Sequence, residues 1–264
     1  MRDRMVRRFL ALLAFVAWAS PAPAAERLAC SLLVDAGSGA VIESRGPDCE
    51  RRNSPASTFK LALALIGYRE GVLADAHHPA WPFKPGYPSW RESWKQTIDP
   101  ALWQMESVLW YSQELTRRLG AERLQREVDR LAYGNRDLSG DPGRKNGLTR
   151  AWLSSSLLIS PAEQVAFVRA LLTDASAPAG RTRAVVPAFP LPGGGTVHGK
   201  TGAGLIRRPD GTLDRSRYFG WFVGWAEIGR RRLAFARLIE DESQETIPAG
   251  FRARDAMLAE LAAR

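Results

Sequence analysis

The chain has 264 residues, of which 45% are hydrophobic and 25% charged, with a net charge of +9. This is globular composition, long enough to bury a large core as one domain or as two closely joined ones. A polytopic membrane protein is excluded, because no run of about 18 apolar residues occurs past the extreme N-terminus. The dispersed 23 Gly and 17 Pro exclude a collagen-like or low-complexity chain.

In chain order the first element is an export signal. Arg2, Arg4, Arg7 and Arg8 form a positive region, Phe9 to Trp18 is a short apolar stretch, and Ala22-Pro23-Ala24 is a small-residue cleavage pattern. The apolar stretch is too short for a membrane anchor, and Pro21 and Pro23 end it. Residues 1–24 are therefore expected to be removed. Leu28-Ala29-Cys30 has the outline of a lipoprotein box, but Arg27 stands where such a box takes an apolar residue. Four Arg and one Asp leave with the signal, so the charge of the remaining chain falls to +6. The expected location is the periplasm or the medium, with no membrane association after cleavage.

Residues 30–44 read as a β-hairpin turning at Gly37-Ser38-Gly39. Pro55 precedes a helical run from Thr58 to Tyr68. From about 76 to 110 Pro and Trp are frequent and the pattern is irregular. Apolar periodicity predicts helix over 107–132 and 161–173, the second opened by Pro161. Thr196 to Lys200 follows the Gly193-Gly194-Gly195 turn as a strand. Tyr218 to Trp225 and Leu233 to Ile239 are strands joined at Gly229-Arg230-Arg231, and a last helix covers about Phe251 to Ala263. Strands at both ends around central helices predict an α+β fold with a mainly antiparallel sheet. Residues 25–75 and 175–264 would form the sheet part, and 76–174 an inserted, mainly helical part.

Cys30 and Cys49 are the only cysteines, and in an oxidising compartment they are expected to pair. The closed loop is of a size for which chain entropy contributes about 3 kcal/mol. No metal is expected: no His lies near either Cys, and His77, His78 and His198 lack zinc spacing, so they read as surface or packing residues. Arg230-Arg231-Arg232 is a solvated turn rather than a nucleic-acid patch, because no aromatic-interleaved basic run accompanies it.

Chemistry enters at Ser57-Thr58-Phe59-Lys60. Residues three apart share a helix face, which puts the Lys60 amine beside the Ser57 hydroxyl. Serine is a weak nucleophile that needs a base, and a desolvated lysine can be one. The helix N-terminus adds positive potential where an oxyanion forms. Lys200-Thr201-Gly202 sits on a strand after a Gly-rich turn, suited to a substrate carboxylate, with Gly allowing close approach of another segment. Between them a hydroxyl must relay protons. Ser107-Val108-Leu109 supplies one, and Tyr133-Gly134-Asn135 is also a good turn. Trp152, Trp221 and Trp225 are core or groove walls, one of which could hold an anion through its indole N–H.

In this order the motifs resemble those of the class D (oxacillinase-type) serine β-lactamases. The resemblance rests on Pro55-Ala56-Ser57-Thr58-Phe59-Lys60, Tyr133-Gly134-Asn135, Trp152-Leu153, Ile159-Ser160-Pro161, Lys200-Thr201-Gly202 and Gly220-Trp221-Phe222-Val223-Gly224-Trp225. It implies a secreted hydrolase that opens the β-lactam ring through an acyl-enzyme on Ser57. Lys60, N-carboxylated by carbon dioxide or bicarbonate, would be the general base, and no other cofactor is implied. Ser107 would pass the proton to the leaving nitrogen. Trp152 would hydrogen-bond the carbamate. Lys200, Thr201 and Arg252, beside Gly202, would hold the substrate carboxylate, and the N–H groups of Ser57 and Ala203 would form the oxyanion hole. The implied partner is a small β-lactam, with the chain a monomer or homodimer. One departure stands out: the family's middle motif ends in Val where this chain has Leu109, whose extra bulk is expected to crowd the carbamate at a cost of about 1–3 kcal/mol. The alternatives are a β-lactam sensor that acylates without turnover, which would normally be joined to transmembrane helices, and a D,D-peptidase, which would carry Ser-x-Asn in the middle motif.

Overall fold

The computed structural model describes residues 26–208 and 210–264, so the expected export signal lies outside the described residues. Strands β1 (Glu26–Asp35), β2 (Val41–Arg45), β3 (Ala188–Pro190), β4 (Thr196–Arg207), β5 (Leu213–Ile228) and β6 (Arg231–Asp241) form one sheet. Their order is β2-β1-β6-β5-β4-β3, with every neighbouring pair antiparallel. The turns expected at 37–39, 193–195 and 229–231 carry glycines at positive φ, including Gly39 at 80° and Gly229 at 58°. A residue without Cβ reaches that region at no steric cost.

Seven helices lie between β2 and β3 in sequence: α1 (Phe59–Arg69), α2 (Pro100–Glu106), α3 (Leu109–Leu119), α4 (Ala121–Arg130), α5 (Gly147–Arg150), α6 (Pro161–Thr173) and α7 (Ala177–Val185). α8 (Ala249–Ala262) closes the chain. Helix and sheet thus combine in the expected α+β fold. The expected single helix over 107–132 is two, because Gly120 leaves helical geometry at φ 76° between α3 and α4. The stretch read as irregular contains α2, started by Asp99, whose side chain accepts the Leu102 N–H at 2.8 Å, with Pro100 in the first turn. Helix also extends past residue 174, since Ser176 caps α7.

The sheet is covered on both faces. Trp221 and Val223 of β5 pack into the large core with α1, α3 and α6, while Phe222 of β5 and Phe235 and Ile239 of β6 pack with Met257 and Leu261 of α8. Burial on both faces is why β5 is buried without interruption from 219 to 226 rather than alternating. α1 is apolar on all sides and buried along ten of its residues, as a helix in the centre of a core must be. The Cys30–Cys49 disulfide, with 5.0 Å between Cα atoms, ties β1 to the segment that leads into α1.

Candidate active site

A 3-10 turn, Ala56–Thr58, runs directly into α1 and sets Ser57 at its N-terminus. The turn is held from several sides. Thr58 Oγ1 donates to the Pro55 carbonyl at 2.7 Å and accepts from Gln164 Nε2 of α6 at 2.8 Å. Ser54 Oγ donates to the Trp152 carbonyl at 2.8 Å and accepts the Ser154 N–H at 2.9 Å, while Trp221 Nε1 donates to the Ser54 carbonyl at 2.9 Å. This net retains Ala56 at φ 48°, a left-handed conformation that costs a non-glycine residue about 1–3 kcal/mol. β4 passes close by: a Cβ on Gly202 would lie 2.9 Å from the Pro55 oxygen and 3.2 Å from the Ser57 nitrogen. Only glycine lets the strand come so near.

Lys60 Nζ donates to Ser57 Oγ at 3.2 Å. Lys60 is 1% exposed, and burial, with the Lys200 charge adding to it, pushes its pKa well below the lysine range. Ser107 caps the C-terminus of α2 in a left-handed conformation, φ 59°, and its Oγ accepts from Lys200 Nζ at 3.0 Å. Lys200, on β4, also donates to the Thr201 carbonyl at 3.2 Å. Burial, and secondarily the charge of Arg91, lowers its pKa to about 7. Two Ser–Lys pairs therefore face each other, one on α1 and one between α2 and β4. Gln104 joins them: its Nε2, in the helix that ends at Ser107, donates to the Lys60 carbonyl at 2.8 Å.

Around the pairs, Trp152 is buried with its ring 5.5 Å from that of Phe59. Leu109 is buried at the first position of α3. Tyr133 packs 5.4 Å from Phe59, and Asn135 fixes the chain opposite by donating to the Ser156 carbonyl at 2.8 Å and accepting the Leu158 N–H at 2.9 Å. Trp221 is a wall of the Ser57 turn through its bond to the Ser54 carbonyl. Trp225 lies further along β5, where His198 stacks on it at 4.8 Å. His77 and His78 are exposed and pair with Asp99 and Asp75.

An open cleft of about 320 Å³ ends on Ser57, Ser107, Thr201, Gly202 and Ala203, and its rim includes Trp90, Arg91, Met105, Phe251 and Arg254. Arg252, expected here, is not among the lining residues. It pairs with Asp241 and Glu26 and donates to the Ile247 carbonyl at 3.0 Å. The reason is helical geometry. Gly250 lies against β4, where its Cβ would meet the Gly202 oxygen at 2.7 Å, so the residue four later, Arg254, shares that face. Arg252, two later, points off it. The supporting residues Ser54, Gln104 and Gln164, and the rim cations Arg91 and Arg254, carry no local motif. Only the polar character of Gln104 and Gln164 within otherwise apolar helix faces marks them in the sequence.

A serine one turn from a buried lysine, facing a second Ser–Lys pair beside a Lys-Thr-Gly strand, is the arrangement of the penicillin-recognising serine acyltransferases. Comparison with known proteins agrees. The penicillin binding protein transpeptidase domain matches residues 29–179 and 173–262. β-Lactamase OXA-9 of Klebsiella pneumoniae is 44% identical over 89% of this chain and 88% of its own, and β-lactamase OXA-1 of Escherichia coli is 34% identical over 74% and 70%. Among solved structures, the class D β-lactamase OXA-427 is 46% identical, with a TM-score of 0.81 over 88% of this chain and 96% of that one. The C-terminal domain of the Bacillus licheniformis BlaR penicillin-receptor is 25% identical, with a TM-score of 0.74 over 88% of each chain. The chain belongs to the class D β-lactamases: it hydrolyses β-lactam antibiotics and confers resistance to them.

Proposed function

We propose that Ser57 carries the acyl group in this hydrolysis and that Lys60 is the residue on which the base is built. The observation that carries this is the 3.2 Å contact of a buried, pKa-depressed amine with the Ser57 hydroxyl. A neutral amine in such a pocket reacts with carbon dioxide. The surroundings suit the product, because the indole N–H of buried Trp152 and the Ser57 hydroxyl would be donors for a buried anion. Carboxylation would supply an oxygen base of moderate pKa, closer to the operating pH than the amine.

In acylation the Ser57 proton leaves to that base as Oγ bonds to the lactam carbonyl carbon. The negative charge on the carbonyl oxygen is met by the N–H groups of Ser57 and Ala203. The carbon–nitrogen bond then breaks, and the nitrogen takes its proton from Ser107 Oγ, which Lys200 resupplies across 3.0 Å. Before deacylation the base releases the Ser57 proton to solvent and Lys200 regains one from solvent; water then attacks the Ser57 ester, the base on Lys60 accepts its proton, and Ser57 Oγ leaves with that proton as the ester bond breaks. Lys200 and Thr201 hold the substrate carboxylate. The substrate lies between the sheet part, 25–75 and 175–264, and the helical part, 76–174, in the periplasm after removal of residues 1–24. The enzyme works as a monomer or homodimer.

Brief exposure to benzylpenicillin followed by intact mass is the test. The wild type gains one penicilloyl mass and Ser57→Ala gains none. Bicarbonate raises steady-state turnover. An adduct mapping to Ser107 or Ser156, or full activity in carbon-dioxide-free buffer at acidic pH, would contradict the assignment.

A further inference from the structure

We infer that Gln104 is a positioning residue for the hydrolysis: its amide holds the helix end that presents Ser107 at a fixed offset from the Ser57–Lys60 pair. The inference rests on Ser57 as the acylated serine and Ser107 as the proton donor, and deepens that reading. Gln104 is fully buried in α2, about one turn before Ser107. Its Nε2 donates to the Lys60 carbonyl at 2.8 Å, and among the described residues this is the one hydrogen bond between α1 and α2. A carbonyl oxygen accepts two bonds, so the contact leaves the helix ladder of α1 intact. The residue whose backbone is held carries the base on its side chain, and the residue one turn beyond Gln104 carries the proton donor.

For packing alone the amide is a poor choice. Its Oε1 is buried and, among the described residues, has no hydrogen-bond partner. Gln164, by contrast, uses both ends of its amide, donating to Thr58 Oγ1 at 2.8 Å and accepting from the Tyr133 hydroxyl at 3.4 Å. A methionine is unbranched and of similar length, and would fill the space of Gln104 without leaving an acceptor unpaired in the core. The one bond that Gln104 does make falls where the geometry is demanding. α2 has only seven residues, too few to hold its own shape. It ends on Ser107 at φ 59°, a conformation that favours glycine. Ser107 Oγ must stay 3.0 Å from Lys200 Nζ while lining the cleft. Trp94 ties this helix end to the preceding segment, through its Nε1 and the Glu106 carbonyl at 3.1 Å. Gln104 ties it to α1.

The test is a double-mutant cycle of Gln104→Met and Ser107→Ala, read on the rate of acylation by benzylpenicillin from the intact mass of quenched samples. Gln104→Met should slow acylation about tenfold, the order expected when a proton donor is displaced by part of an ångström. In the Ser107→Ala background the same change should cost less than about twofold, because no donor is left to misplace. An acyclic phenylacetylglycyl aryl ester, whose phenolate leaves without a proton, should lose less than about twofold from Gln104→Met alone. The melting temperature should hold or rise, since the variant removes an unpaired acceptor. A packing role would instead lower the melting temperature and slow penicillin and ester alike. Losses that multiply across the cycle, no loss on penicillin, or equal losses on the two substrates would each overturn the inference. Failure of the underlying reading shows in a different variant: Ser107→Ala would then acylate as fast as the wild type, and the inference would fall with it.

Discussion

At neutral pH a lysine in water is almost wholly protonated, and an ammonium takes no proton from a serine. Burying Lys60 and Lys200 changes this, because burial penalises each charge, and the charge of Lys200 further penalises that of Lys60 as the charge of Arg91 does that of Lys200. Lys200, at about 7, then titrates in the working range of the enzyme. Its cationic form is the one that attracts a carboxylate, so kcat/KM for an anionic penicillin should fall as pH rises through about 7. A bound carboxylate favours the charged form, so kcat should persist to higher pH; pH–rate profiles of the two constants check this. Leu109, buried at the start of α3, stands where the family's middle motif has Val. If its bulk crowds a carbamate on Lys60, Leu109→Val should change deacylation more than acylation, measured by pre-steady-state burst against steady-state rate. The motif serines and lysines were legible in the sequence because the chemistry needs them at fixed local spacing. Arg252 was misplaced because a family pattern fixes a position along the chain, whereas the face of α8 is fixed by Gly250 packing on β4.

Among the elements, the approach of β4 to the start of α1 sets the distance between the Lys200-Thr201-Gly202 strand and Ser57, the proposed nucleophile. Gly202→Ala would place a methyl 2.9 Å from the Pro55 oxygen, and backbone on both sides leaves little room to yield. The expected outcome is a fall in kcat/KM of about a hundredfold, the effect of roughly 1 Å of misplacement. The melting temperature should move by only a few degrees, because the contact is at the cleft and not within the core. Calorimetry beside kinetics separates the two. α2 and α7 escaped the sequence reading because seven and nine residues give too few turns for apolar periodicity to register. Their caps, Asp99 before Pro100 and Ser176 before Pro178, were the available signals. The partners of Ser54 and Gln164 were not legible, since each bonds a segment about 100 residues away.

For the whole molecule, the alternating sheet-and-helix order was legible because hydrophobic period and glycine turns are local properties. The pairing of β1 with β6 and the covering of both sheet faces were not. The disulfide joins β1 to the segment before α1 and limits the unfolded chain more than the folded one. Replacing Cys30 and Cys49 together by Ser should cost about 3 kcal/mol. In a chain of this size that lowers the melting temperature by about 6–12 °C, readable by differential scanning calorimetry, while turnover at 25 °C persists. The enclosure of α1 has a consequence for how such an enzyme changes under selection. Almost every substitution along that helix opens a cavity or overpacks a core, at about 1–5 kcal/mol against a total stability of about 5–15 kcal/mol. Trp90 and Met105 at the cleft mouth are exposed, and replacements at such surface positions typically alter stability by within about 0.5 kcal/mol. Adaptation to a new antibiotic therefore has its open path at the mouth, and a lineage can shift its drug spectrum many times over while the machinery beneath stays unaltered.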